Sequence, residues 1–242
     1  MEEKSVVRKS IVIPVLFVVV LWIIKLSEVY FSYNLANFGI RPRTFEGLIG
    51  ILTAPLIHSG FDHLLSNSLP LLVVGAGLIY FYHEIAFRVI ALITLFSGVW
   101  VWIAARPDSH IGASGLIYGF VCFLFFSGIF RKDRRLLAIS MLVTFLYGGL
   151  VWGILPVDQA ISWESHLFGS VAGLLCAIYY RNEGPQVTPY VWEEDDVELG
   201  DEFWKENENI EEPKNPDNPI QINYDYKEKK DSENQASKNK NE

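Results

Sequence analysis

The stretch Ile111-Gly112-Ala113-Ser114-Gly115-Leu116-Ile117-Tyr118-Gly119 opens an apolar run that continues to about Phe130. A run of that length reads as a membrane-spanning helix, which needs about 20 apolar residues. The same stretch places the Ser114 hydroxyl in a glycine-rich turn at the mouth of the run, where water is scarce. Two other apolar runs also open on polar residues: His166 opens one, and His63 with Asn67 opens another.

Working outward, six candidate spans appear, at about Ile11–Leu26, Leu64–Tyr82, Ile85–Ala105, Ile111–Phe130, Leu136–Leu155 and Ser162–Tyr180. Half of the 242 residues are apolar, and the mean hydropathy of +0.23 is unusual for a soluble protein. The fold expected is an all-α membrane protein, a bundle of six transmembrane helices. Arg8 and Lys9 precede the first run as they would in a signal peptide. No small-x-small cleavage pattern follows, and five more runs come after it, so the first run reads as a retained anchor.

The net charge of −8 is unevenly spread, since residues 181–242 hold 18 acidic and 8 basic residues and the first 180 hold 10 and 12. The domain reading follows: an N-terminus over 1–10, a membrane body over 11–180 and an acidic tail over 181–242. The tail has too little apolar surface to build a core, so disorder is expected, with solvation or recruitment of a cytosolic partner through Trp192 and Trp204 as its roles. No basic patch suggests nucleic acid. Cys122 and Cys176 fall inside apolar runs and read as small hydrophobes. His58 and His63 are five apart, which does not put two ligands on one helix face. Neither a metal nor another cofactor is expected.

Orientation follows from the basic residues. With the N-terminus inside, nine (Lys4, Arg8, Lys9, Arg88, Arg131, Lys132, Arg134, Arg135, Arg181) lie on the cytoplasmic side against three (Arg41, Arg43, Arg106) outside. Both termini are therefore expected in the cytoplasm of a multi-pass protein of the cell membrane. The first external loop, about Ser27–Asp62, is long. Its apolar stretch Phe45–Ile57 is broken by Gly47, Gly50 and Pro55 and is too short to cross, so it lies in the interface or dips into the membrane.

In this topology the even-numbered spans all enter from outside. His63 and Asn67, Ser114, and His166 then lie at one depth under one face. Intramembrane polar groups are costly and face a bundle interior, so a shared cavity is expected. His63 and Asn67 are i,i+4 and share a helix face, as do Ser114 and Tyr118. Gly115 with Gly119, and Gly169 with Gly173, form small-xxx-small stripes that let two helices approach closely and bring Ser114 toward His166. Serine needs a base to act as a nucleophile, and neutral His166 can take its proton. Asn67, the His63 ring N–H and the Ser114 backbone N–H are candidate donors to an oxyanion. Glu164 is the nearest acidic residue in sequence, and it is expected in the loop facing water. The expectation is a Ser–His dyad with Tyr118 stacked on the imidazole.

The pattern His58-x4-His63-x3-Asn67, then Gly112-x-Ser114-Gly115-x2-Tyr118-Gly119, then His166-x2-Gly169-x3-Gly173, resembles the rhomboid family of intramembrane serine proteases over about residues 10–180. The resemblance implies that Ser114 is the nucleophile and His166 the base. It implies that His63 and Asn67 hold the oxyanion, that Tyr118 stacks on His166, and that His58 supports the turn before the second span. It also implies the activity, a serine endopeptidase cutting other membrane proteins in or near their transmembrane segments. The loop departs from the family in lacking an adjacent Trp-Arg pair; Arg41-Pro42-Arg43 is its nearest basic element. Two other readings compete. One is a catalytically inactive rhomboid-like protein that binds membrane clients, against which stand both Ser114 and His166. The other is a small transporter, which would want polar residues through the full membrane depth. The inner halves of the even spans are mostly apolar.

Overall fold

The computed structural model of the chain describes residues 2–146, 152–158 and 161–184. Among these the structure is helical. It comprises α1 (Glu2–Phe31), the one-turn α2 (Gly50–Thr53), α3 (Phe61–Phe81), α4 (Ala86–Ala104), α5 (Ser114–Arg131), α6 (Arg134–Leu146) and α7 (Trp163–Tyr179). Short 3-10 turns cover Leu35–Phe38, Glu46–Leu48, Ala54–Leu56 and Trp152–Ile154. A single antiparallel bridge joins Ile40 to His110.

Four helices, α1, α3, α4 and α5, are long and apolar enough to cross a membrane. Of these α5 is the most buried and α1 the least. Leu64, Leu71, Val74, Leu78, Ile93, Phe123, Leu124 and Leu136 form one core contributed by α3, α4, α5 and α6. Large apolar residues also point outward, among them Val15, Leu16, Val19 and Ile23 on α1 and Leu95 and Ile103 on α4. A helix that is apolar on its outer face as well as its inner one suits lipid rather than water. Hydroxyls inside these helices bond back to carbonyls four residues earlier, as at Ser68, Ser97 and Ser140. Trp22 on α1 donates to Ser68 on α3 at 3.1 Å.

Helix ends depart from the expected spans for local reasons. α1 runs past the apolar segment at both ends: Lys4, Arg8 and Lys9 are exposed at its start, and Glu28 is held by Lys25 near its end. α5 begins at Ser114 rather than Ile111, because Gly112 has a φ of +112°, which a helix cannot contain. The expected fifth span reached Leu155, but α6 is described only to Leu146 and residues 147–151 lie outside the described residues. Trp152–Ile154 is a 3-10 turn rather than the end of that helix. The expected tail, from residue 185 on, also lies outside the described residues.

The segment between α1 and α3 is folded tightly on the bundle. Gly98 of α4 leaves room for Ile51 of α2, whose Cγ2 would stand 2.7 Å from any Cβ added there. Trp102 donates to the Thr44 carbonyl at 2.8 Å, and the Arg43 guanidinium donates to the Ala105 carbonyl at 2.8 Å. The basic element Arg41-Pro42-Arg43 thus holds the end of α4 by its backbone.

α5 and α7 make the most extensive helix pair, and glycine is the reason. A Cβ on Gly169 would collide with the Gly115 carbonyl oxygen, and one on Gly173 with that of Gly119. The two backbones therefore touch directly, an approach that only small residues permit.

Candidate active site

The contact between α5 and α7 carries Ser114 and His166 to each other. Ser114 is the first residue of α5 and His166 lies in the first turn of α7. Ser114 Oγ stands 2.7 Å from His166 Nε2. The other ring nitrogen, Nδ1, is 2.9 Å from the Gly153 carbonyl oxygen. A carbonyl can only accept, so Nδ1 carries the ring proton, and in a neutral imidazole Nε2 must then be the acceptor. Ser114 therefore donates its hydroxyl proton to His166, the arrangement a general base requires. Tyr118 lies flat on the imidazole, with ring centroids 4.2 Å apart and planes 9° from parallel. His166 is only 7% exposed, so few waters compete for these bonds.

The group that holds the His166 ring at Nδ1 is a backbone carbonyl rather than a carboxylate. Position 153 takes glycine because a side chain there would run into the Tyr118 hydroxyl. Sequence reading passed over Gly153, since a carbonyl is common to every residue and leaves no signature.

Three contacts shape the turn before Ser114. Gly112 N–H donates to the Ala54 carbonyl at 2.9 Å. Ala113 N–H reaches His58 Nε2 at 3.4 Å, a long bond, and His58 is 2% exposed. Burial, with His63 beside it, pushes His58 down to about 4, so its ring is neutral and keeps the lone pair that faces Ala113. His63 meets His58 edge-on, at 5.0 Å between centroids. A Cβ at Gly112 would fall 2.8 Å from His63 Nε2 and 3.8 Å from Ser114 Oγ. Gly112 is thus a gap between the two side chains, and its positive φ is a second reason for glycine there.

Asn67 is placed differently from His63. It is 4% exposed and lines the same cavity, but its Nδ2 donates to the His63 carbonyl on its own helix at 3.0 Å. One N–H of the amide is engaged there, which leaves the other for the cavity. The cavity has a volume of about 740 Å³ and is lined by His63, Asn67, Ser114, Tyr118 and His166, with Arg106 and His110 along another wall. Gly115 and Gly169 meet on the seam between α5 and α7, and Gly173 meets Gly119 one turn further along it.

Glu164 corrects the sequence reading. It was expected to face water, yet it is 3% exposed, with a carboxylate oxygen 3.5 Å from Arg106 Nε and 3.4 Å from the Arg106 amide nitrogen. The Arg106 guanidinium also donates to the Ile161 carbonyl at 2.6 Å. Beside this pair, His110 Nε2 lies 3.0 Å from the Arg106 carbonyl and so donates to it. His110 Nδ1 then accepts from Ser162 Oγ at 2.6 Å, and Ser162 is bonded to Ser165 at 2.6 Å. These groups tie the segment after α4 to the start of α7, the part that carries His166. His110 stands four residues before Ser114, and spacing alone does not reveal its partners, which come from the segments after α4 and before α7.

Comparison with known proteins agrees with this architecture. The chain is 37% identical over 175 residues to "Uncharacterized protein Mb1372" of Mycobacterium bovis, covering 66% of this chain and 71% of that one. "Uncharacterized protein Rv1337" of Mycobacterium tuberculosis matches to the same extent, 37% over 175 residues with 66% and 71% covered. "Putative rhomboid protease YdcA" of Bacillus subtilis is 26% identical over 137 residues, 52% of this chain and 63% of that one. Residues 46–183, which take in the second half of the loop, the serine turn and His166, match the Rhomboid domain. The chain is a membrane protein and belongs to the rhomboid family.

Proposed function

We propose that this chain is an intramembrane serine endopeptidase that cleaves other membrane proteins in or near their transmembrane segments. The observation that carries the reading is the hydrogen bond of 2.7 Å from Ser114 Oγ to His166 Nε2, at the wall of the cavity. In this reading Ser114 attacks the scissile carbonyl as its proton passes to His166 Nε2. Gly153 and Tyr118 hold the ring while it is charged. His166 then returns the proton to the leaving amine. His63, the second N–H of Asn67 and the Ser114 backbone N–H at the start of α5 stabilise the oxyanion. A carbonyl partner for Nδ1 stabilises an imidazolium less than a carboxylate would, so more of the rate enhancement falls to the oxyanion donors.

The reading extends to topology. Six spans, with α6 and α7 completing the set, place both termini in the cytoplasm and the cavity under the outer face of the cell membrane. The acidic segment 181–242 lies on the cytoplasmic side, where it solvates the protein or recruits a cytosolic partner. Substrates are transmembrane proteins, no nucleic acid is bound, and no cofactor enters the chemistry.

A fluorophosphonate probe applied to membranes tests the reading, because it labels only an activated serine. Wild-type protein is expected to be labelled, and Ser114→Ala and His166→Ala are expected to be silent while remaining inserted. Absence of labelling in the wild type would favour a client-binding protein with no catalytic turnover.

A further inference from the structure

Lys25 is a cation near one end of the apolar helix α1, and it is only 8% exposed. A buried ammonium is costly unless its three N–H donors find partners. Here all three do: Glu28 Oε2 at 2.8 Å, the His58 carbonyl at 3.0 Å and the Ser59 carbonyl at 3.1 Å. The other oxygen of Glu28 accepts from Leu35 N–H at 3.1 Å. One ion pair therefore clasps both ends of the segment between α1 and α3. The two carbonyls precede α3, where no helical N–H can reach them.

The residues gripped in this way bear on the site. His58 supports Ala113, and the Ser59 hydroxyl lies 3.1 Å from His63 Nδ1. His63 Nε2 is the nitrogen that faces Gly112 and the Ser114 turn. It can donate to an oxyanion there only if it holds the ring proton. In a neutral imidazole that requires Nδ1 to be the acceptor, and the Ser59 hydroxyl is the donor within reach.

We propose that Ser59 fixes the tautomer of His63, and that Lys25 holds Ser59 in place through the two backbone carbonyls. Both are positioning residues. The inference rests on the reading of Ser114 as nucleophile and His63 as oxyanion donor. It gives a role to a lysine buried at the end of the apolar part of α1.

The test measures fluorophosphonate labelling of full-length protein in liposomes, with the maximal labelling rate separated from the probe's apparent affinity. The phosphoryl oxygen of the probe takes the oxyanion position. Ser59→Ala, Ser59→Thr and the charge-balanced pair Lys25→Met with Glu28→Gln are compared, each alone and on a His63→Ala background. Ser59→Ala is expected to lower the maximal rate by about 10-fold with affinity nearly unchanged, and Ser59→Thr to restore it. The Lys25/Glu28 pair is expected to lower the rate by about 10–100-fold. On the His63→Ala background Ser59→Ala should add no more than about twofold, since no His63 ring remains to be oriented. Wild-type labelling in Ser59→Ala, or full additivity with His63→Ala, overturns the proposal. Should the Lys25/Glu28 pair fail to insert, Ser59 lies in an exposed turn and its cycle with His63 still decides. Labelling of Ser114→Ala at the parent rate would instead sink the dyad itself.

Discussion

Gly169→Ala tests whether backbone contact between α5 and α7 is what makes the dyad. The added Cβ would lie inside the van der Waals envelope of the Gly115 carbonyl oxygen, with the Gly115 backbone behind it. Neither helix has a flexible side chain at that point that could give way. Ordinary contact returns only if the helices separate by on the order of 1 Å. His166 sits three residues before Gly169 on the same helix, so its 2.7 Å bond to Ser114 would stretch beyond the ~3.2 Å limit of a useful hydrogen bond. A misplacement of about 1 Å can cost about 100-fold in rate, equivalent to ~2.7 kcal/mol of barrier. Overpacking costs ~1–3 kcal/mol of stability, and the better helix propensity of alanine offsets up to ~1 kcal/mol of that. The activity loss is therefore expected to exceed what the stability loss explains. Gly173→Ala meets the same obstacle at Gly119, but about 6 Å further along the helix from His166. It is expected to cost only ~10-fold, the displacement at His166 being smaller. The assay is the fluorophosphonate labelling rate in liposomes, alongside thermal unfolding of the same preparations. A Gly169→Ala protein that is inserted and labelled within about twofold of the parent would refute the reasoning, because the helices would then have slack that the contact denies.

His63→Ala and Asn67→Ala are each expected to slow cleavage by ~10–1,000-fold without abolishing labelling of Ser114; wild-type cleavage by both would reassign them to packing. Glu164→Ala leaves Arg106 without its buried carboxylate, and a stability loss of ~1–3 kcal/mol is expected, discounted because the arginine side chain is 28% exposed; an unchanged unfolding temperature would show the pair to be inert. Cysteine scanning should find Arg131–Arg135 accessible from the cytoplasm and Pro156 from outside, and the reverse pattern would put the serine under the wrong face. A chain ending after Gly184 should still insert and cleave, whereas one ending at Tyr180 should unfold at lower temperature. The Arg131 guanidinium donates to the carbonyls of Arg181, Glu183 and Gly184 and is expected to hold that end of α7; equal stability of the two truncations would rule this out.

Much of the bundle was legible in the residues because hydrophobic run length is a local quantity. α1, α3, α4 and α5 were all anticipated, with ends displaced by up to nine residues, most at the charged start of α1 and least along α4. The fifth expected span was less legible, since its second half combines glycines and aromatics whose pattern does not separate a helix from a turn. The meeting of Ser114 with His166 was anticipated from a shared depth and two glycine stripes, both of which can be read as spacing. Depth alone could not say which ring nitrogen faces the serine.

That choice belongs to tertiary structure. A carbonyl at Gly153, outside the expected machinery, sets the tautomer of His166, and its position depends on a turn packed against Tyr118 rather than on any side chain. Glu164 reads as a surface acid because it falls in the loop that precedes an apolar run. Its burial is decided by Arg106, 58 residues away in the chain. Lys25 reads as the edge of an apolar run, and only folding brings the two loop carbonyls to it. Composition and hydropathy determined that the chain is helical and apolar and where its hydroxyl and imidazoles stand relative to its apolar runs, because those properties sum over neighbours in sequence. Hydrogen-bond direction and the pairing of buried charges were decided by the fold, because they depend on groups that are neighbours only in space.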